Sequence, residues 1–331
     1  MRFWGTTILF ICYSFSIKAQ ELFPLTEPAS SVPKGVLGVR LFDQFFKADS
    51  VGRTMIYARL MYGLTSKLTI EVTAAGSNHH GDSLPNNLVY HTHTPNGGSV
   101  SYAKAFSRTL PYPFRFAGFN FYAKYRVLSL DGDKQHFRLA LFGDYSTVKT
   151  AHDESEPDLL DDDGGWEAGL IATKLINRWA FSLTTGYIQP TFYFDEVQSQ
   201  YVYPPQETKL YYGRAIEYDL SIGYRFYPAK YSNDYSEPNF NIYLEFLGKT
   251  YDSATVTLNG EVLGIKTNLL QKGTYIEVHP GIQWIVNSNT RIELTVGYPL
   301  VSQSYTVFYP VYTFGIQHYI YFAKAKKTDS P

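Results

Sequence analysis

The 331-residue chain contains a single cysteine, Cys12, and it lies inside the first nineteen residues, which read as a leader. Once that leader is removed, neither a disulfide nor thiol chemistry is available. Charge is also scarce: 18% of residues are charged, where a soluble domain carries about 25%. Past the leader no stretch approaches the roughly 18 consecutive apolar residues of a membrane helix, which excludes a helical membrane protein. Taking Arg2 and Lys18 from the 29 basic residues leaves 27 against 30 acidic ones, a net charge of −3. Without a basic excess, no nucleic acid partner is expected. No cofactor is expected either.

What the chain has is aromatic residues, 29 Tyr and 23 Phe, in segments where every second residue is apolar. In Ile216-Glu217-Tyr218-Asp219-Leu220-Ser221-Ile222-Gly223-Tyr224-Arg225-Phe226 one face is aliphatic or aromatic and the other charged or small. A strand turns successive side chains to opposite faces, so such a segment separates two unlike media. Residues 1–19 have the form of a secretory signal: Arg2, an apolar core from Thr7 to Phe15, then Ile17-Lys18-Ala19, with cleavage expected near Ala19/Gln20. Ile11 stands where a lipoprotein site before Cys12 would need a small residue, so lipidation is not expected.

Twelve spans carry the alternation: 35–47, 53–63, 67–77, 113–129, 136–150, 165–176, 178–190, 213–228, 240–250, 273–286, 290–300 and 309–322. Most exceed the roughly 9–11 residues a tilted strand needs to cross hydrocarbon. The links alternate in length. Leu64-Thr65-Ser66, 130–135, Asn177 and Asn287-Ser288-Asn289 are short, with 229–239 as the exception, whereas 78–112, 151–164, 191–212 and 251–272 are long. Short periplasmic turns and long outer loops are the asymmetry of outer-membrane barrels. The expected fold is therefore all-β: a transmembrane antiparallel β-barrel of about 12 strands in meander order, with N- and C-termini periplasmic. The expected parts are signal peptide 1–19, periplasmic leader or plug 20–34, outer-membrane barrel 35–322 and periplasmic tail 323–331. Of the two readings for 20–34, a flexible leader is the default for a segment rich in Pro and Ser.

Phase assigns the faces. Ile70, Val72, Phe119, Phe121, Leu141, Ile242, Leu244, Leu294 and Phe314 fall on the lipid phase. The opposite phase holds the lumen-lining candidates Arg40, Glu71, Lys124, Arg126, Arg138, Asp144, Glu217, Asp219, Arg225, Glu245, Lys249, Glu277, His279, Arg291 and Glu293. A Lys or Arg facing mid-depth lipid costs about 2–4 kcal/mol, so this segregation is what a barrel requires. Trp179 and Trp284 fall at periplasmic strand ends and Trp166 at the outer rim, as interfacial girdles demand. Pro280 lies mid-strand on the apolar phase and calls for a bulge. Thr255 to Ile265, around Asn259-Gly260, reads as a short hairpin projecting from loop 251–272. Were its arms to enter the membrane, the strand count would become fourteen.

The inward charges either satisfy one another as a structural network or line a polar passage. His79, His80, Asp82, His91 and His93 cluster in loop 78–112 as candidate metal ligands, since imidazole suits Zn, Cu and Ni. A solvated polar loop is the plainer reading. Loop 151–164 carries Asp153, Glu154, Glu156, Asp158, Asp161, Asp162 and Asp163 and reads as a solvated acidic loop, or as a divalent-cation bridge to lipopolysaccharide. His318 is on the lipid phase without a serine segment beside it, and His279 shares a face with Glu277. No enzyme is expected on these residues.

Tyr62-Gly63-Leu64-Thr65-Ser66-Lys67-Leu68-Thr69 resembles the strand–turn–strand of the MetA-pathway of phenol degradation family, barrels regarded as outer-membrane transporters. Pro33-Lys34-Gly35 leading into Val39-Arg40-Leu41 is similar to that family's start. Tyr319-Ile320-Tyr321-Phe322 resembles the signal read by the barrel-assembly machinery, although the chain continues to Pro331. The resemblance implies passage of small, hydrophobic or aromatic compounds across the outer membrane, and carries over no functional residue. Sequence thus points to passive transport of a small-molecule solute through a barrel held in outer-membrane lipid and lipopolysaccharide. The alternatives are a closed barrel whose outer loops bind a ligand, metal or partner, and a lipid-modifying enzyme.

Overall fold

The computed structural model describes residues 23–48, 50–80, 111–132, 134–152, 154–199, 202–230, 238–263, 270–303 and 308–322. The signal 1–19, residues 20–22 and the tail 323–331 lie outside them.

Twelve strands close into an antiparallel barrel. They are β1 (Val36–Ala48), β2 (Val51–Gly63), β3 (Leu68–Ser77), β4 (Arg115–Asp131), β5 (Gln135–Ser146), β6 (Gly165–Ile176), β7 (Trp179–Pro190), β10 (Ala215–Tyr227), β11 (Asn239–Tyr251), β14 (Gly273–Val286), β15 (Thr290–Gln303) and β16 (Val311–Tyr321). β1 pairs β16 from Val36↔Tyr321 to Phe45↔Tyr312, which leaves the barrel without an edge. Every expected span is a strand, with ends displaced by a few residues.

Local chemistry sets the tight turns. Asn177 adopts φ 55° between β6 and β7, and Asn287 and Ser288 adopt 48° and 56° between β14 and β15. Asn tolerates that left-handed region better than most residues. Between β2 and β3, Thr65 Oγ1 accepts from the Lys67 and Leu68 amides at 3.1 and 2.9 Å. The Thr of the family-like turn therefore closes the turn.

The two faces separate as phase requires. Leu141, Ile242, Leu294 and Phe314 are exposed on the outer wall, whereas Arg40, Glu71, Lys124, Glu245, Glu293 and Arg291 are buried inside. Aromatic residues gather at both rims. Trp179 lies 4.6 Å from Tyr224, and Trp284 stacks on Phe240 at 5.8 Å, at the short-turn end. Trp166 packs 5.7 Å from Tyr187 at the loop end.

Three features differ from expectation. The shift in the β14–β15 register falls at Ile276/Glu277 rather than at Pro280. Pro280 itself keeps its place opposite Leu244 of β11, and its missing N–H faces the interrupted stretch of the β15 ladder. Stretch 191–212 is not a plain loop: β8 (Phe192–Ser199) and β9 (Val202–Tyr211) form a hairpin. The expected hairpin is present as β12 (Thr255–Leu258) and β13 (Glu261–Leu263), with Asn259 and Gly260 at positive φ. It docks on β9 in a separate four-stranded sheet, so the barrel count stays at twelve.

The third difference is residues 23–34. They enter the bore from the short-turn end and cross it. The Leu25 and Thr26 amides donate to Glu245 at 3.0 Å each, and the Ala29 amide donates to Thr173 Oγ1 at 2.8 Å. The Val32 amide donates to Thr69 Oγ1 at 2.9 Å. This stretch is hydrogen-bonded to the inner wall of the barrel, the arrangement expected of the plug reading. A polar backbone is tolerated inside the barrel because the wall supplies its partners. Gly63 makes room for the segment's exit, since a Cβ there would stand 2.0 Å from the Pro33 carbonyl oxygen. That obstacle is backbone, so Gly63→Ala is expected to cost about 1–3 kcal/mol. The temperature at which the purified protein loses its fast-migrating form on a gel should fall accordingly.

Candidate functional site

Two chain segments enter the lumen, one from each end, and a chamber lies between them. Its lower boundary is Leu25, Thr26 and Glu27; its upper boundary is Asp158, Leu159 and Leu160 of the β5–β6 loop. The cavity measures about 160 Å³, space for on the order of ten water molecules.

The lower stopper is held by charge. Glu27 accepts from Arg59 Nη1 and from Lys124 Nζ, both at 2.9 Å. Lys124 also donates to the Pro28 carbonyl at 2.8 Å, and Arg138 to Ser30 Oγ at 2.9 Å. Arg40 reaches both the Pro24 carbonyl and Glu293. Phe23 packs edge-on against Tyr243 at 5.8 Å, closing one side with apolar area.

The upper stopper corrects the reading of 151–164 as a solvated loop. Ser155, Glu156, Leu159, Asp161, Asp162 and Asp163 are all buried. Leu159 packs with Ile188, Ala215, Tyr251 and Tyr275, which carries the loop into the bore. Lys249 then neutralises one acid, donating to Glu156 and, at 2.7 Å, to the Pro157 carbonyl. Burial pushes the Glu156 carboxyl up to about 8 against the pull of Lys249. Burial, then the Asp161 charge, pushes Asp158 up to about 6 and Asp162 well above the usual carboxylate range. Asp153 lies outside the described residues.

The chamber wall is acidic. Glu27, Glu71, Asp144, Asp158, Glu167, Glu217 and Asp219 face it, against Arg59 and Lys249. Asp144 and Glu167 stand opposite each other on β5 and β6, and Glu217 of β10 is paired with Lys249 of β11. Of the sequence candidates, Glu71, Asp144, Glu217, Asp219 and Lys249 line the chamber. Lys124, Glu245, Arg40, Glu293 and Arg138 instead bind the stopper or its support. Arg291 joins Gln317 and lies 3.5 Å from Glu293. Glu277 holds His279 at 2.8 Å and accepts from Tyr309 near the loop end. Arg126 and Arg225 are half-buried at the short-turn end, where Arg126 donates to the Ser66 carbonyl at 2.8 Å. Glu27, Arg59, Asn120 and Glu167 also line the chamber, and the phase argument did not select them.

Of the histidine cluster, His79 and His80 extend from β3 and meet Asp161 and Asp162 of the neighbouring long loop. Asp82, His91 and His93 lie outside the described residues.

No family model matches the sequence, and no curated protein matches it. Among solved structures, the chain is similar to an outer membrane channel from Pseudomonas putida F1, with a TM-score of 0.55 and 12% identity over 91% of this chain and 100% of that one. The chain has the fold of an outer-membrane barrel. More distant is the NanC porin, at a TM-score of 0.41 and 8% identity over 87% of this chain and 100% of that one. The CymD monoaromatic hydrocarbon channel follows at 0.30 and 9%, with 87% of each chain covered. The family resemblance rests on Pro33 to Leu41 and Tyr62 to Thr69 alone.

Proposed function

We propose that the chain is a passive outer-membrane channel for small solutes, closed by residues 23–34 on the periplasmic side and by loop 147–164 outside. The observation that carries this reading is the chamber: a charge-lined space of about 160 Å³ inside the barrel, walled by the strands and bounded below and above by two chain segments. A purely structural network would pair its acids with bases, whereas seven carboxyl side chains here face two cationic ones. That excess favours small cationic or neutral polar solutes over the hydrophobic or aromatic compounds suggested by the family resemblance. Outer-membrane lipid covers the exposed apolar belt, and the reading carries no catalytic step.

Reconstituted protein is expected to give discrete current steps in planar bilayers and to let liposomes swell in small polar solutes. Absence of both, from protein shown to be folded by its heat-dependent gel mobility, overturns the channel.

A further inference from the structure

At the loop end two segments distant in sequence bring nitrogen and oxygen donors together. His79 and His80 follow β3 after Asn78, and Asp161 and Asp162 sit on the inserted loop between β5 and β6. His80 Nε2 lies 2.9 Å from Asp162 Oδ1. His79 Nδ1 lies 3.9 Å from Asp161 Oδ2 and 4.0 Å from Asp162 Oδ1. The donor atoms of His79, His80 and Asp162 are all within 4.8 Å of one another. Zinc binds imidazole and carboxylate at about 2.0–2.2 Å in a tetrahedron, which sets the donors about 3.3 Å apart. The existing spacings bracket that value.

The donors are also poorly served by one another. Among the described residues, His79 Nδ1, Asp161 Oδ2 and Asp162 Oδ1 are buried and make no hydrogen bond, since the close approach of His80 to Asp162 lacks the alignment of one. The Asp161 side chain is only 3% exposed, and although the Tyr57 hydroxyl bonds this carboxylate, its Oδ2 takes no hydrogen bond. A simple ion pair would close the His79 gap to hydrogen-bond distance, and 3.9 Å leaves it open. An ion placed between the groups would use each of these lone pairs.

We propose that this rim binds one divalent transition-metal ion of the zinc type through His79, His80 and Asp162, with Asp161 beside them. Two imidazoles among three protein donors select a borderline ion over magnesium or calcium, which take oxygen. Supporting groups hold the donors in place. Phe46 meets the His79 ring edge-on at 5.1 Å, and the His152 ring lies 5.4 Å from that of His80. His152 in turn contacts Asp163 at 3.1 Å, which fixes the acidic strip beside the site. The bound ion ties the end of β3 to the inserted loop. This assignment does not depend on the channel reading.

The test is titration calorimetry of the full-length folded protein in detergent with zinc chloride, with zinc per chain measured after gel filtration. The expected result is one zinc per chain, and affinity at least about tenfold weaker in both His79→Ala/His80→Ala and Asp162→Asn. His136→Ala, at the opposite end of the barrel, should bind as the parent does. Each variant is first checked for heat-dependent gel mobility, and the conservative Asp162→Asn keeps the test alive if the double variant does not fold. No retained zinc in the parent overturns the site, as does unchanged affinity in the folded variants. Equal binding of magnesium overturns the zinc-type assignment and leaves an unspecific acidic surface.

Discussion

Removing residues 20–32 is expected to raise single-channel conductance several-fold while the barrel still folds. The strands pair with one another through backbone bonds in which this segment takes no part, and the exit contact of Gly35 N with Gly63 O at 2.8 Å is retained. Once the segment is gone, Glu245, Thr173, Thr69 and Lys124 meet water instead of its backbone, which solvates them at little cost. A single substitution should act in the same direction. Glu27→Gln leaves Lys124, 1% exposed, facing an amide, while Arg59 keeps Glu71 at 3.5 Å. Breaking a buried ion pair on one side costs about 3 kcal/mol, which is on the order of a hundredfold in the docking equilibrium of the segment. More frequent or longer openings should therefore appear in current traces. If both folded variants conduct as the parent does, the segment is not the stopper, and loop 147–164 sets the current instead.

The wall of this barrel was legible because lipid outside and polar groups inside force strict alternation, and twelve segments obey it. What lies inside was less so, for reasons that can be placed on residues. Arg59 escaped the phase argument because the inward phase of β2 also holds Met55, Tyr57 and Met61, which are buried in the lumen yet look as apolar as the lipid face. Glu167 shares its phase with Gly165, Gly169 and Ile171, so that strand shows little contrast between faces. Residues 23–34 have no period at all; their structure comes from partners such as Glu245, 219 positions beyond Thr26. Loop 151–164 announces solvent by its carboxylates. Leu159, and a cation on β11 at Lys249, reverse that outcome through contacts no local pattern encodes. The β8–β9 hairpin was masked by Pro204-Pro205, which interrupts its alternation. For the zinc-type site the histidine pair was visible, but its partners come from the next long loop.

Neutralising Asp144, Glu167 and Glu217 together, as amides, in the chain lacking residues 20–32 should abolish most of the cation preference of the open channel. Two like charges about 4 Å apart repel by about 4 kcal/mol near a protein surface, against about 1 kcal/mol in water, so a chamber walled by protein concentrates their field. Potentials of several kT follow, enough to favour a monovalent cation over an anion by about tenfold. Amides preserve volume, so the chamber keeps its shape while losing three ionisable groups. Gly186 already leaves room for the Glu167 side chain, whose Oε1 would be 1.9 Å from a Cβ at that position, and the amide of Glu167→Gln would occupy the same space. Across a tenfold salt gradient, ideal selectivity gives about 59 mV for a monovalent ion. The plug-less parent should reverse well toward the cation limit, and the triple amide within a few millivolts of zero. An unchanged reversal potential would mean that ions take a path that does not cross the chamber, and the carboxylates would then be structural after all.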